Sequence, residues 1–257
     1  MEIDCHINLD TTKSEIAKEF KCAEVAFNRS RFNIAPSQNI TVVIKIGDNH
    51  EGVEMRWGLI PSWVKSLDTW KNNLINARVE TIEQKPSFRD SFKKYPCLIP
   101  VSGFYEWDKK KQPYYFHQDK SLLARLTKYP QRGGRHELLG FPQKTRPWEP
   151  PRREASPLGQ RIFVLAGIWS ACTYPETDEK LLSCTILTTQ AKGNITEIHH
   201  RMPVVIPPEY YDLWLENVGN RKELLEALPE IELQLYPVSK TVNSPKNDTP
   251  DCIVPIK

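Results

Sequence analysis

The chain has 257 residues, of which 39% are apolar, enough for one large domain around a buried core. Its net charge of +3 is too mild to name a nucleic-acid partner by itself. No apolar run reaches the roughly 18 residues of a membrane span, and the start lacks the basic-then-apolar order of a secretory signal.

In chain order, "TTKSEIAKEF" (11–20) carries Thr and Ser start signals and apolar residues at helical spacing, so a helix is expected there. "ITVVIKI" (40–46) is β-branched and reads as a strand, and "MRWGLIPSWV" (55–64) as a strand ended by Pro61. "LINARVETI", "YPCLIPVSGFYEW" and "QPYYFHQ" read as further strands, as do "RIFVLAGIWSACTY" and "LLSCTILTTQ". "PEYYDLWLEN" and "RKELLEALPE" are helix-like, and "LQLYPVS" closes the series as a strand. The result is an α+β chain, a single domain over 1–257 with a mainly β core.

One stretch breaks this rhythm. Residues 125–161 hold six prolines, a Gly pair, and nine Lys or Arg against Glu137, Glu149 and Glu154. Their local balance of +6 leaves −3 for the rest of the chain. This is a basic Pro-rich insertion, read as a solvated loop, as an arm adding non-specific DNA affinity, or as the product of a gene-model or splicing error.

The six cysteines (5, 22, 97, 172, 184 and 252) show no CxxC or other metal spacing. Reduced thiols, no metal and no cofactor are expected, with a cytoplasmic address in a bacterium or a nuclear one in a eukaryote.

Four polar groupings stand inside apolar surroundings. Alternation in "NLINARVE" puts Asn76, Arg78 and Glu80 on one strand face, either lining a cleft or forming a solvated face with an ion pair. In "VSGFYEWD", Glu106 lies between Tyr105 and Trp107; desolvated there it suits general acid or base work, and otherwise it is a surface residue. In "EIHHRMPVVI", His199 and His200 diverge if the chain is extended, and His199 with Arg201 combines proton transfer with a phosphate-binding cation. "RFNIAPSQ" offers Asn33, Pro36 and Ser37 as a rigid polar loop, while Trp57 and Trp63 are either core or a base-stacking wall.

In order, "NIAPSQ", "MRWGLIPSW", "INARVET", "KPSFRDSF", "CLIPVSGFYEW", "QPYYF", "LAGIW", "CTILTT", "IHHRMPVVI" and "VSKTVNS" resemble the SOS response-associated peptidase (SRAP) family of abasic-site processing proteins. The resemblance covers nearly the whole chain except its first dozen residues and the basic insertion. It implies a single α+β domain with a strongly curved, barrel-like, mainly antiparallel sheet, flanking helices and a cleft for single-stranded DNA containing abasic sites. It further implies a monomer that crosslinks to the site. In that chemistry the family's cysteine is exposed by self-removal of the initiator Met, and its amine and thiol form a thiazolidine with the opened sugar. Carried over by motif, Asn76 orients the cysteine and the linkage, Glu106 shuttles protons, and His199 assists as acid or base. Arg78 and Arg201 hold flanking phosphates, and Asn33, Pro36 and Ser87 lie in blocks that line the DNA channel.

The family opens Met-Cys-Gly-Arg, whereas this chain opens Met1-Glu2-Ile3-Asp4-Cys5-His6. The nitrogen of Cys5 is an amide, so a thiazolidine requires removal of four residues. Two alternatives follow: a member that binds single-stranded DNA without catalysis, and a Cys-His hydrolase with Cys5 as nucleophile and His199 as base.

Overall fold

Thr12 starts the first helix because its side chain accepts from the Glu15 N–H while the Glu15 carboxylate reaches back to the Thr12 N–H, a capping box. In the computed structural model, which describes residues 5–66, 70–118, 162–173, 180–216 and 221–256, that helix is α1 (Lys13–Phe20). It follows β1 (His6–Leu9) and precedes β2 (Cys22–Val25), β3 (Arg31–Ile34), β4 (Asn39–Ile46), β5 (Asn49–Trp57) and β6 (Asn76–Arg78). Then come α2 (Arg89–Lys94), β7 (Pro96–Val101), β8 (Gly103–Trp107), β9 (Pro113–His117), β10 (Phe163–Thr173) and β11 (Lys180–Gln190). The chain ends through β12 (Arg201–Pro203), β13 (Val205–Ile206), α3 (Tyr211–Leu215), α4 (Arg221–Ala227) and β14 (Gln234–Pro237). The basic insertion at 125–161 lies outside the described residues.

Strands β11, β10, β7, β4 and β5 pair in that order, and β5 pairs back onto β11 in parallel, closing a five-stranded barrel. Closure removes the unpaired edges that an open sheet of such apolar strands would present. A second sheet, in the order β14-β9-β8-β1-β3, is antiparallel throughout. One buried core running from Cys5 to Leu233 is shared by both sheets. The expected curved, mainly antiparallel α+β fold is the one found. Trp57 belongs to the core, fully buried with its indole N–H donating to the Ile75 carbonyl at 2.9 Å, whereas Trp63 is 55% exposed.

"YPCLIPVSGFYEW" is not one strand. It divides at Ser102, whose hydroxyl accepts from the Asp10 N–H at 2.9 Å and donates to the Asp10 carbonyl at 3.2 Å. That exchange lets the chain leave the barrel with β7 and enter the second sheet with β8. Gly103 follows because a Cβ there would lie 2.3 Å from the ring of Tyr115, which is fully buried and donates to Asn8 Oδ1 at 2.7 Å. Gly103→Ala is therefore expected to cost about 1–3 kcal/mol as overpacking, read as a lower urea midpoint at unchanged slope.

The outer face of the second sheet is covered by the C-terminal segment, where Val238, Val242, Cys252 and Ile253 pack on Tyr105 and Tyr115. Asp248 ties this segment to β3: its carboxylate accepts from the Phe32 N–H at 2.6 Å, the Asn33 N–H at 3.0 Å, Arg29 at 3.0 Å and Arg31. Burial pushes the Asp248 carboxyl up, but the bonds from Phe32, Arg31 and Asn33 together outweigh it and hold the group below its usual range. A depressed folded-state value contributes stability above the unfolded value of about 3.9, lost as pH falls through the folded one. Asp248→Asn is expected to cost about 2 kcal/mol at pH 7, with the gap to the parent chain closing below about pH 4; urea melts at both pH values check it.

Candidate active site

β1 begins one residue after Cys5, and carrying the His6–Tyr105 pairing one residue further sets Cys5 opposite Glu106. Strand alternation turns both side chains toward the inner face of the sheet, with Ile7 and Phe104. Each is only 2% exposed. Burial, then the charge of Glu106 and its hydrogen bond to the thiol, push Cys5 well above the ordinary cysteine range. Cys5 is thus kept as the protonated thiol, hydrogen-bonded to the Glu106 carboxyl group.

A second cluster gathers along the C-terminal half of β11. β6 runs parallel to it, with Asn76 opposite Ile186 and Arg78 opposite Thr188, while Arg201 opens β12 opposite Gln190. Asn76 Nδ2 is buried with no hydrogen-bond partner among the described residues. Arg78 is exposed.

Arg201 differs from Arg78: at 9% exposure, its two terminal nitrogens donate to the Glu80 carboxylate at 2.7 and 2.9 Å. One of them also donates to the Thr188 carbonyl at 2.6 Å. Its hydrogen bonds hold the Glu80 carboxyl below its usual range. The expected strand face of Asn76, Arg78 and Glu80 ends early, because the chain turns at Val79–Thr81 and carries Glu80 onto Arg201.

His199 Nδ1 lies 3.1 Å from both the backbone N and O of Arg201, so Nε2 is the ring nitrogen turned away from that backbone. The divergence expected of an extended chain at His199 and His200 is not found. A 3-10 turn over Gly193–Glu197 precedes them, and the two rings lie with centroids 4.3 Å apart. Burial, His199, Arg201 and Arg78 together push His200 below the usual imidazole range.

Strand registers bring the ends of β7 and β11 to one end of the barrel. β10 is antiparallel to β7 and β11; its first residue, Phe163, pairs with Val101 at the end of β7, and its Gly167 with Ile186 of β11. The end of β7, which leads through Ser102 into β8, therefore lies at the same end of the barrel as the end of β11, with β10 between them; that end of β11 carries Thr188 and pairs with the strands of Asn76, Arg78 and Arg201.

Asn33 is fully buried, its Nδ2 facing the carbonyls of Val242, Ser244 and Asn247 at 2.9 to 3.0 Å. Pro36 and Ser87 are half-buried in loops, beside β3 and before α2. The links of Arg201 to Glu80 and of Asp248 to β3 went unread in the sequence, since their partners lie 121 and about 216 residues apart with no local signal.

Among the described residues, no group of three His, Cys, Asp or Glu is placed to hold a metal, all six cysteines are free, and no helix is long and apolar enough to cross a membrane.

The sequence signature of the SOS response associated peptidase (SRAP) family matches residues 5–245. The abasic site processing protein YoqW of Bacillus subtilis (strain 168) is 33% identical over 226 residues, covering 86% of this chain and 84% of its own. The abasic site processing protein HMCES of Gallus gallus is 34% identical over 216 residues, covering 80% of this chain and 57% of its own. In fold, a crystal structure of a protein from Bacteroides thetaiotaomicron superposes with a TM-score of 0.71 at 21% identity, covering 98% of this chain and 99% of the other.

Proposed function

The chain belongs to the SOS response associated peptidase family, and on that premise we propose that it processes abasic sites in single-stranded DNA by crosslinking to them through Cys5. The observation that carries this reading is the Cys5 thiol set against Glu106.

In the proposed reaction Met1–Asp4 are first removed by the protein itself, freeing the α-amine of Cys5. The amine attacks the aldehyde carbon of the ring-opened sugar and water leaves, giving an imine. The thiol then adds to the imine carbon: a C–S bond forms, Glu106 takes the thiol proton, and the former imine nitrogen receives one, closing a thiazolidine. His199, through Nε2, protonates the sugar oxygen as the ring opens. The unsatisfied Nδ2 of Asn76 donates to the linkage. Arg78, exposed at the same barrel end, meets a flanking phosphate; Pro36 and Ser87 border the strand's path. Arg201 supports the site from behind, through Glu80 and His199. An abasic site has no base edge to read, so recognition falls to the backbone and the aldehyde.

Binding without catalysis is the second reading, favoured by the amide nitrogen that Cys5 bears while Met1–Asp4 remain. The hydrolase reading has less support, because the group set against the Cys5 thiol is the Glu106 carboxyl rather than an imidazole base. Incubation with abasic and intact single-stranded DNA on a denaturing gel tests the proposal. An adduct to abasic DNA alone supports crosslinking, and salt-sensitive binding without an adduct supports the second reading.

A further inference from the structure

We propose that His6 and Asn33 form a latch that positions Cys5 for its reaction, an inference that rests on the crosslinking reading above. His6 is the last residue of β1 paired to β8 on the Cys5 side, so Cys5 itself lies beyond the ladder. Once Met1–Asp4 leave, Cys5 is the first residue of the chain, and chain ends fray unless something ties them down.

His6 supplies that tie. Its Nδ1 lies 2.7 Å from Asn33 Oδ1. Because Asn33 Nδ2 faces three carbonyls, Oδ1 is the acceptor and His6 Nδ1–H the donor. Asn33 is immobile: its backbone N–H donates to Asp248 at 3.0 Å and its side chain is held by the C-terminal segment.

The same segment holds the neighbour of Glu106. The His6 ring meets Trp107 edge-on with centroids 5.2 Å apart, and the Trp107 indole N–H donates to Asn243 Oδ1 at 2.8 Å. His6 and Trp107 lie on the outer face of the sheet, and Cys5 and Glu106 on the inner. Each reacting group is therefore flanked by a residue fixed to one rigid strap, so the amine and thiol of a terminal Cys5 stay in register with Glu106. His6 acts through Cys5 and is a positioning residue.

The test uses chains that begin at Cys5 and compares His6→Ala with His6→Asn, whose Nδ2–H stands near the place of the imidazole Nδ1–H. Three quantities are read: single-turnover adduct formation at saturating abasic single-stranded DNA, affinity for intact single-stranded DNA, and Cys5 alkylation followed peptide by peptide. His6→Ala is expected to slow adduct formation by up to about 100-fold, leave affinity for intact DNA unchanged and speed alkylation of Cys5. His6→Asn is expected to restore both rates. Unchanged adduct and alkylation rates in His6→Ala, or a His6→Asn chain as defective as His6→Ala, would overturn the latch. If the parent chain forms no adduct, the crosslinking reading fails, and the alkylation rates still decide whether His6 holds Cys5 in place.

Discussion

A chain that begins at Cys5 is expected to form a covalent adduct with abasic single-stranded DNA, and one that retains Met1–Asp4 to form none until they are removed. The contrast is all or none for a chemical reason. An amide nitrogen has its lone pair in the peptide resonance and cannot condense with an aldehyde, whereas an α-amine, with a pKa near 7.7 to 8.0, is about half free by pH 8. Adduct formation should therefore rise as pH passes through roughly 7 to 8. A chain beginning with serine in place of Cys5 separates amine from thiol. It retains the imine step but lacks the sulfur that closes the stable ring, so its adduct should survive denaturation only after borohydride reduction. Intact mass of the N-terminus shows whether the full chain processes itself. Adducts at equal rate from the processed and unprocessed chains would refute the role of Cys5.

Glu106→Gln, made in a chain that begins at Cys5, should slow adduct formation by about 10²- to 10⁴-fold, the usual contribution of a positioned acid or base. Gln keeps the size and one acceptor oxygen but cannot take the thiol proton. The thiol should also become easier to ionise, since the Glu106 charge and hydrogen bond no longer raise its pKa, although burial still does. Slower crosslinking with a more acidic thiol is thus the signature of lost proton transfer. A rate within a few-fold of the parent, in a variant with unchanged melting, would remove Glu106 from the mechanism.

Much of the fold was legible because its signals are local. The Thr12 and Glu15 pair marks the start of α1 within four residues. β4 is a β-branched run, and β10 and β11 are long, mostly buried runs whose side chains suit a sheet wherever it closes. β1 left no such mark. Four residues long, it exists because β3 and β8 flank it on both sides. The early end of β6 was equally hidden, since the turn at Val79–Thr81 carries Glu80 onto Arg201, 121 positions away.

By itself the sequence determined which residue types are available and in what order: an α+β chain with a β-branched core, the polar positions Asn76, Glu106 and His199, and a cysteine near its start. Where each of them stands in space was decided only by the tertiary structure. The pairing of β1 with β8 sets Cys5 against a carboxyl group 101 positions away. Antiparallel registers bring the ends of β7 and β11 to the same barrel mouth. Asn33, expected in a loop, lies in strand β3, where the C-terminal segment holds its side chain beside His6. The reason is physical: a propensity acts over a few residues, whereas a strand register is chosen by all the apolar area that both sheets bury together.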